Sequence, residues 1–350
     1  MICHTEDKMP LNENELFARA RRLHDKAPLI DLHADTFSMT KAASRFVEGS
    51  SKVHLDLPRM IEIGIWAEAF SLFVYPKWGK SPDKWFEIAV KELDAIHAAI
   101  ENSGGKLALA TDSAAIRENR SRGAVSAIIE IEGLHPLAGD LSKIEWFFER
   151  GVRIFTLTWN NSNPWATSCM DKNSHENGLS DAGREAISEI NRLGGFVDFS
   201  HSGERTFWET LDILDTPPIC THSCCMELKH SPRNLTDEQI KAIIDKDGIV
   251  GINFYPGFIS NKEIPDVGVA DLVNHIDHIV ALGGEDILAL GSDFDGVSNL
   301  PSEITDCTGI IEITVELLRR DYSDDLILKI LGGNFLRGFE RSPAGPQPTC

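Results

Sequence analysis

The sequence has too little positive charge to suit a polyanionic partner. Its 350 residues include 34 Lys and Arg against 54 Asp and Glu, which gives a formal net charge of −20. Nucleic acids and anionic membrane surfaces are bound through basic patches, so we expect neither as a partner. The acidic surplus is expected to be mostly solvated surface, and it identifies no partner by itself.

Several kinds of segment are also absent from the sequence. No apolar run approaches the length that spans a bilayer, and residues 1–16 lack the apolar core of a signal peptide. Seven cysteines in so long a chain do not make a disulfide framework, and their odd number suits a reducing compartment. No internal repeat or low-complexity block is evident. We therefore expect a cytoplasmic protein of ordinary globular composition.

What the sequence does contain is a series of short apolar runs suited to buried strands. The runs are rich in β-branched or aromatic residues, and most are nearly continuous, as expected for strands covered on both faces. The predicted strands are Leu29–Asp35, Ile65–Val74, Val125–Glu132, Arg153–Trp159, Gly195–His201, Pro218–His222, Ile249–Tyr255 and Ile287–Asp293.

Segments with helical spacing of apolar residues alternate with these strands. The clearest are Lys84–Asn102, Ser180–Leu193, Thr236–Asp247 and Asp271–Leu282. Alternation of strand and helix along the whole chain favours an α/β fold, a closed (β/α)8 TIM barrel, over an open doubly wound sheet. We expect a single barrel domain over residues 1–350, with an N-terminal extension at 1–27 and a frayed tail at 342–350. Residues 160–177 are expected to form a long loop on the ligand face.

Residues that bind metals stand at the ends of several predicted strands. His33 and Asp35 are two apart on the first strand, so they share a face and can bind one ion. His201 and His222 end consecutive strands and should lie side by side. Glu132 ends the third strand, and its two oxygens can bridge two cations. Taken singly, each has an ordinary structural explanation, but their gathering at one barrel rim predicts a metal site.

Two more polar residues on the same rim suit acid–base and substrate-binding roles. Asp293 ends the eighth strand, where a carboxylate could shuttle the proton of a metal-held water. Arg233 follows the sixth strand, and its guanidinium fork suits capture of a substrate carboxylate, although alone it would be taken for an exposed loop arginine. Asp295, two residues beyond Asp293, is expected to be structural or to support the site.

Four other histidines and a cysteine pair are expected to lie outside the site. His135 and His175 fall in loops, and nothing in the sequence forces them toward the rim. His275 and His278 are three apart on a predicted helix, and we expect both to face solvent. The pair Cys224–Cys225 could offer soft ligands, but the rim already has enough carboxylates and imidazoles.

A set of short segments, taken in order, carries a resemblance to a known family. The segments are residues 30–35, 131–133, 157–160, 164–165, 178–181, 198–201, 221–223, 231–234, 291–296 and 333–337. Together they resemble the membrane (renal) dipeptidase family of zinc dipeptidases, peptidase family M19, within the amidohydrolase-like barrels. The resemblance extends from about Pro28 to Phe339.

The resemblance implies a hydrolase with two divalent ions, zinc being the first choice, although manganese, iron and cobalt accept similar ligands. His33 and Asp35 would hold one ion, and His201 and His222 the other. Glu132 would bridge the two ions, and a hydroxide shared between them would attack the substrate.

The resemblance also implies the substrate and its contacts. Asp293 would handle the proton of the hydroxide, and Arg233 would bind the C-terminal carboxylate of a small dipeptide, in some cases one with a C-terminal D-residue. One departure stands out: Trp159 occupies the place where better-known members have a histidine that holds the scissile carbonyl. An indole can donate one hydrogen bond but cannot become a cation. Asn160 or Asn161 could take over that contact.

Two alternatives to dipeptide hydrolysis stay open. The same rim could hydrolyse lactams or N-acyl amino acids, or the Trp159 departure could mark a metal-binding member that has lost catalysis. The oligomeric state is also open, and a homodimer is the oligomer to expect first.

Overall fold

The computed structural model describes residues 12–40, 43–79 and 81–340. Its strands are β1 (Leu29–Ala34), β2 (Ile65–Phe73), β3 (Leu107–Leu109), β4 (Val125–Glu132), β5 (Val152–Thr156), β6 (Phe196–Asp198), β7 (Ile219–Ser223), β8 (Ile249–Ile252) and β9 (Leu288–Leu290). All pair in parallel, in the order β2-β1-β9-β8-β7-β6-β5-β4-β3, and a further β2–β4 pairing closes the ring. The predicted (β/α)8 barrel is confirmed.

The barrel uses the eight predicted strands, and β3 is an addition. It pairs with only the first residues of β4, from Leu107 opposite Val125 to Leu109 opposite Ala127. The neighbouring β5 pairs with β4 only from Ile129 onward. Strand β3 therefore pairs with the N-terminal part of β4, before the point where β5 begins. A run of three residues is too short to stand out in the sequence as a strand.

Helices surround the barrel and cover the outer face of its strands. Their bounds are α1 (Glu13–His24), α2 (Thr36–Thr40), α3 (Ala43–Glu48), α4 (Leu57–Ile63), α5 (Pro82–Asn102), α6 (Ser113–Ser121), α7 (Ser142–Glu149), α8 (Asp181–Leu193), α9 (Glu204–Ile213), α10 (Asp237–Asp245), α11 (Pro256–Ile259), α12 (Val269–Ala281), α13 (Ile310–Arg319), α14 (Asp324–Leu328) and α15 (Asn334–Glu340). Short 3-10 turns occupy His135–Leu137, Ile264–Asp266 and Cys307–Gly309, and a π turn occupies Lys329–Gly333.

The four predicted helices are confirmed, and their ends have the expected local chemistry. Ser180 caps α8 by accepting a hydrogen bond from the Gly183 amide, and Gly194 ends that helix at a φ of 80°. Thr236 and Gln239 form a capping box at the start of α10. Every residue of β1, β4, β6, β7, β8 and β9 is buried, as parallel strands covered on both faces should be.

Helix α1, within the predicted N-terminal extension, packs on the outside of the barrel. Its buried His24 lies with Nε2 2.8 Å from the Thr314 hydroxyl on α13, and Arg19 pairs with Asp324 at 2.6 Å. The single-domain division stays a prediction, and residues 1–11 and the predicted frayed tail at 342–350 lie outside the described residues.

Two expected absences can be examined in the described part of the chain. None of its helices is both long and apolar enough to cross a bilayer. Its five cysteines are all unpaired, and four of them are buried.

Candidate metal centre

The C-terminal ends of the barrel strands bring two histidines against one carboxylate. His201 follows β6, His222 lies in β7, and Glu132 ends β4. Nε2 of His201 is 2.9 Å from Glu132 Oε1, and Nε2 of His222 is 3.6 Å from the same oxygen. The two Nε2 atoms are 3.1 Å apart. These three side chains can hold one ion.

The other oxygen of Glu132 faces a second group of ligands. Nε2 of His33 is 3.9 Å from Glu132 Oε2 and 3.7 Å from Asp35 Oδ2. His33, Asp35 and Asp293 lie close enough together to hold an ion. Glu132 therefore stands between the two groups with one oxygen toward each. The structure brings together all five predicted metal residues.

The hydrogen bonds of the imidazoles show that the pocket suits cations. His222 Nδ1 is 2.8 Å from the Thr221 hydroxyl, whose own proton goes to Asp198, so Nδ1 carries the proton and Nε2 does not. Burial lowers the pKa of His201 and His222 well below 6.5, with Arg233 adding to the effect, so both rings are neutral. Two unprotonated nitrogens at 3.1 Å repel each other unless a cation binds both. The donor set of imidazoles and carboxylates suits zinc or a similar divalent metal.

The ring nitrogen of His33 that faces away from the metal residues is hydrogen-bonded to a carboxylate that was not predicted from the sequence. His33 Nδ1 donates to Glu130 Oε1 at 2.9 Å, while His33 Nε2 has no hydrogen-bond partner within the described residues. A metal-bound histidine is usually oriented in this way by an acceptor on its second nitrogen. Glu130 also lies near enough to His33 and His222 to serve as a ligand. Because Glu130 Oε1 already accepts the hydrogen bond from His33 Nδ1, we infer that Glu130 orients His33 and is not itself a metal ligand.

Asn160 orients the third imidazole. Its Oδ1 is 2.9 Å from His201 Nδ1, so the exposed amide accepts the proton of that nitrogen. The predicted role of Asn160 in substrate binding stays a prediction, and its observed contact is with the metal residue His201.

Burial favours the neutral form of three carboxyl groups at the centre, Glu132, Asp293 and Glu130, when no cation is bound. Burial raises the pKa of Glu132 well above 4.5, and Asp35 raises it further. Burial raises the pKa of Asp293 as well, against the opposing effect of His33. Burial also raises the pKa of Glu130 to about 7, although His33 lowers it in part. Bound cations would reverse these shifts by stabilising the ionised forms.

Asp293 lies at the rim in a strained backbone conformation. Its φ is 63°, a left-handed value that is uncommon for a residue other than glycine. Oδ2 accepts a hydrogen bond from Asn253 Nδ2 at 2.9 Å, which fixes the carboxylate. Asp295 is structural, as expected, because its oxygens accept from the Thr36 hydroxyl and the His54 amide, each at 2.6 Å.

Arg233 is buried, so it is not an ordinary exposed loop arginine. Its Nη2 donates to the His222 carbonyl at 3.0 Å, and its Nε has no hydrogen-bond partner in the described part of the chain. The guanidinium lines a cavity of about 400 Å³ that also reaches His201. A buried cation with an unused donor beside a cavity can receive an anionic group.

Trp159 lies beside the metal residues and outside their cluster. Its half-buried ring is centred 6.3 Å from the His201 ring. It packs against Phe73 at 5.1 Å and edge-on against Tyr75 at 5.6 Å.

The expectation that His275 faces solvent is wrong. His275 is fully buried, accepts at Nδ1 from the Cys225 amide at 3.0 Å and donates from Nε2 to the Ile259 carbonyl at 2.9 Å. Both ring nitrogens are satisfied inside the protein, which a position on a helix does not reveal. His278 is half-buried and pairs with Asp237 at 2.7 Å.

The two loop histidines differ from each other. His135 is buried, and its Nε2 donates to the Val74 carbonyl at 2.7 Å. His175 is exposed and pairs with Glu204 at 2.5 Å, although it also lines the cavity beside Arg233.

Several buried polar residues below the rim were not singled out from the sequence. Asp31 and Glu130 precede metal residues by two positions, so period-two spacing from His33 and Glu132 would have placed them on the same face. Glu68 on β2 has no hydrogen-bond partner for either carboxylate oxygen among the described residues. Burial raises the pKa of Glu68 well above 4.5, and Asp31 raises it further.

Fold and site together define a class of protein. A parallel barrel that gathers imidazoles and carboxylates at the C-terminal ends of its strands is the framework of a metal-dependent hydrolase. The sequence profile of the membrane dipeptidase family, peptidase family M19, matches residues 17–343. The chain belongs to this family, and it is a metallopeptidase of the dipeptidase class. The predicted family and enzyme class are confirmed.

Relatives and solved structures agree with this assignment. Dipeptidase aclJ of Aspergillus oryzae is 30% identical over 328 residues, 89% of this chain and 77% of that protein. A metallopeptidase from Rhodobacter sphaeroides, liganded with a phosphinate mimic of the dipeptide L-Ala-D-Ala, has a TM-score of 0.84 at 26% identity, covering 90% of this chain and 99% of that one. Dipeptidase AC, of family M19, has a TM-score of 0.85 at 27% identity, covering 91% and 99%.

Proposed function

We propose that this protein hydrolyses small dipeptides with two zinc ions, one at His33 and Asp35 and the other at His201 and His222, bridged by Glu132. The observation that carries the proposal is the position of Glu132, whose two oxygens face the two groups of ligands. When bound, divalent ions supply Lewis acidity and lower the pKa of a water molecule toward neutrality.

The residues of the chain account for the rest of the reaction. Arg233 binds the C-terminal carboxylate of the substrate through its unused Nε donor and so orients the scissile amide over the metal residues. Asp293 accepts the proton of the attacking water and passes it to the leaving amine, while Asn253 holds its carboxylate in place. Because Arg233 and Asp293 are buried, these charged contacts are stronger than they would be in water.

A dipeptide with a C-terminal D-residue is a proposed substrate. The support is that the Rhodobacter sphaeroides relative is liganded with a mimic of L-Ala-D-Ala.

The test compares wild-type protein with Arg233→Ala on zinc-loaded preparations. For Ala-D-Ala, we expect kcat/KM to fall at least about 100-fold, since a buried charge-assisted contact is lost. Hydrolysis of an N-acetylated amide without a carboxylate should change little. Arg205→Ala, which removes an exposed arginine paired with Glu209, is the control. An undiminished rate on dipeptides would show that Arg233 does not bind the substrate carboxylate.

Metal analysis of the same preparation tests the cofactor. We expect two equivalents of zinc per chain. A fully loaded protein that cleaves no dipeptide, whether its C-terminal residue is L or D, would identify a metal-binding member without catalysis.

A further inference from the structure

Four aromatic side chains from two parts of the chain meet on one side of the metal rim. We call Phe73, Tyr75, Trp78 and Trp159 the aromatic wall. Trp159 follows β5, and the other three lie at the end of β2 or just beyond it. Trp159 packs on Phe73 and Tyr75, and Trp78 lies 5.9 Å from Tyr75 and 6.1 Å from Phe73. The four rings form one continuous surface.

The aromatic wall keeps apolar surface exposed at the rim. Phe73, Tyr75 and Trp159 are half-buried, and Trp78 is 47% exposed. Large hydrophobic residues that are this exposed are few in the described ranges: Ile61, Trp78 and Met170. A patch of adjoining aromatic faces is costly to leave in water and is typical of a binding surface.

The aromatic wall and Arg233 lie on different sides of the metal residues. Around the ring the strands run β1, β2, β4, β5, β6, β7, β8 and β9. The wall joins the ends of β2 and β5 across the end of β4, which carries Glu132. Arg233 belongs to the segment after β7. A dipeptide held by its C-terminal carboxylate at Arg233 therefore extends its N-terminal residue toward the wall.

We propose that the aromatic wall is the subsite for the N-terminal side chain of the substrate, and that it selects dipeptides with a large apolar or aromatic N-terminal residue. The inference rests on the proposed function and adds a substrate class to it. The Trp159 ring is centred 6.3 Å from the His201 ring, within reach of a side chain whose carbonyl lies over the metal residues. Trp159 thus supplies a specificity surface at the position where a histidine was expected.

The test is a series of dipeptides that differ only at the N-terminal residue, X-D-Ala with X = Phe, Leu, Ala, Lys or Glu. With wild-type protein we expect kcat/KM for Phe-D-Ala to exceed that for Ala-D-Ala by about 10- to 100-fold. Trp159→Ala should remove most of this preference, because kcat/KM should fall at least about 10-fold further for Phe-D-Ala than for Ala-D-Ala. Trp159→Phe should retain the preference because it keeps an aromatic face.

Trp146→Phe is the matched control, because Trp146 lies on α7, packs on Phe86 and Arg150, and is outside the aromatic wall. An equal loss for all substrates in Trp159→Ala would overturn the proposal, since it would make Trp159 structural. A wild-type preference for Lys would also overturn it and would indicate cation–π recognition by the rings.

A binding measurement separates this inference from the proposed function. Phosphinate isosteres of Phe-D-Ala and Ala-D-Ala are titrated calorimetrically into wild-type protein and Trp159→Ala. If no dipeptide is cleaved but the Phe isostere binds wild-type protein at least about 10-fold more tightly, the proposed function fails and the subsite stands. Equal affinities, or binding of neither isostere, would overturn the subsite.

Discussion

The three imidazoles of the metal centre have their second nitrogens bound by three different acceptors. His33 uses a buried carboxylate, Glu130, and His222 uses a buried hydroxyl. His201 uses the exposed amide of Asn160. The acceptor sets the orientation and the basicity of each ring, and so affects how tightly the ring binds a metal ion. Glu130 can carry a full negative charge, so it should raise metal affinity more than the hydroxyl or the amide does.

Glu130→Gln is expected to weaken metal binding by about 10-fold or more. The amide keeps the shape of the side chain but removes the negative charge that makes His33 a stronger ligand. Competitive titration against a chelator measures the affinity. Glu118→Gln, which removes an exposed partner of Arg122, is the control. Unchanged affinity in Glu130→Gln would mean that the charge of Glu130 plays no part at the centre.

At the residue scale, the sequence predicted the members of the site better than their surroundings. His33, Asp35 and Glu132 could be found because strand ends and period-two spacing are local properties. Glu130 needed only the same spacing and was overlooked. His275 could not be placed, because its acceptor and donor partners are distant in sequence and only the tertiary fold supplies them.

Helix α8 packs closely against the loop on the ligand face. A Cβ added at Gly183 would overlap the carbonyl oxygen of Trp165. Glycine in a helix interior usually costs stability relative to alanine, by about 1 kcal/mol, because the unfolded chain is freer. At Gly183, the overlap with the Trp165 carbonyl oxygen should cost more stability than the replacement of glycine by alanine gains. The substitution should therefore destabilise the protein, where it would usually stabilise a helix.

Gly183→Ala is therefore expected to destabilise the protein by about 1–3 kcal/mol, the range found for overpacked cores. Ser188→Ala, at an exposed position in the same helix, should be neutral or slightly stabilising. Chemical denaturation of both variants measures the difference. A stabilised Gly183→Ala would show that the loop moves away at little cost.

The elements themselves were largely predictable from the sequence. The predicted ends of long periodic segments such as α5 and α8 lie within two residues of the observed ones. The short β3 was missed because its strand character comes from pairing with β4 and from no pattern of its own. The aromatic wall likewise has no local pattern in the sequence, because its residues meet only when the barrel closes and brings the ends of β2 and β5 together.

For the whole molecule, metal ions should act as part of the fold. Without cations, burial and the nearby Asp35 carboxylate penalise the ionised forms of Glu132 and Asp293 and raise the pKa of each. Each ion present at 1,000 times its dissociation constant adds about 4 kcal/mol to the free energy of unfolding. Chelation should therefore lower the thermal midpoint by several degrees, and zinc should restore it. An unchanged midpoint would contradict a cation bound at this centre.

Acid should destabilise the molecule through its buried neutral histidines. Burial lowers the pKa of His24 to about 4 from 6.5, with Asp25 opposing the shift in part. The unfolded chain binds the proton first, so stability is full above pH 6.5 and falls as the pH drops toward 4. This residue alone accounts for up to about 3 kcal/mol.

Unfolding free energies measured between pH 7 and 4 should thus fall more steeply for wild-type protein than for His24→Gln, which cannot titrate. The glutamine can keep a hydrogen bond with Thr314 on α13. Parallel curves for the two proteins would show that the pKa of His24 is the same in the folded and unfolded states.

The buried Glu68 changes how the charge of this protein should be counted. Glu68 is one of the 54 acidic residues behind the formal charge of −20, yet its environment inside the barrel favours the neutral acid. Between pH 4.5 and the raised pKa of Glu68, the folded molecule should therefore be less negative than its composition states, because Glu68 takes up a proton when the chain folds. That proton is lost again on unfolding, so this carboxyl favours the native state less and less as the pH rises above 4.5 toward its raised pKa.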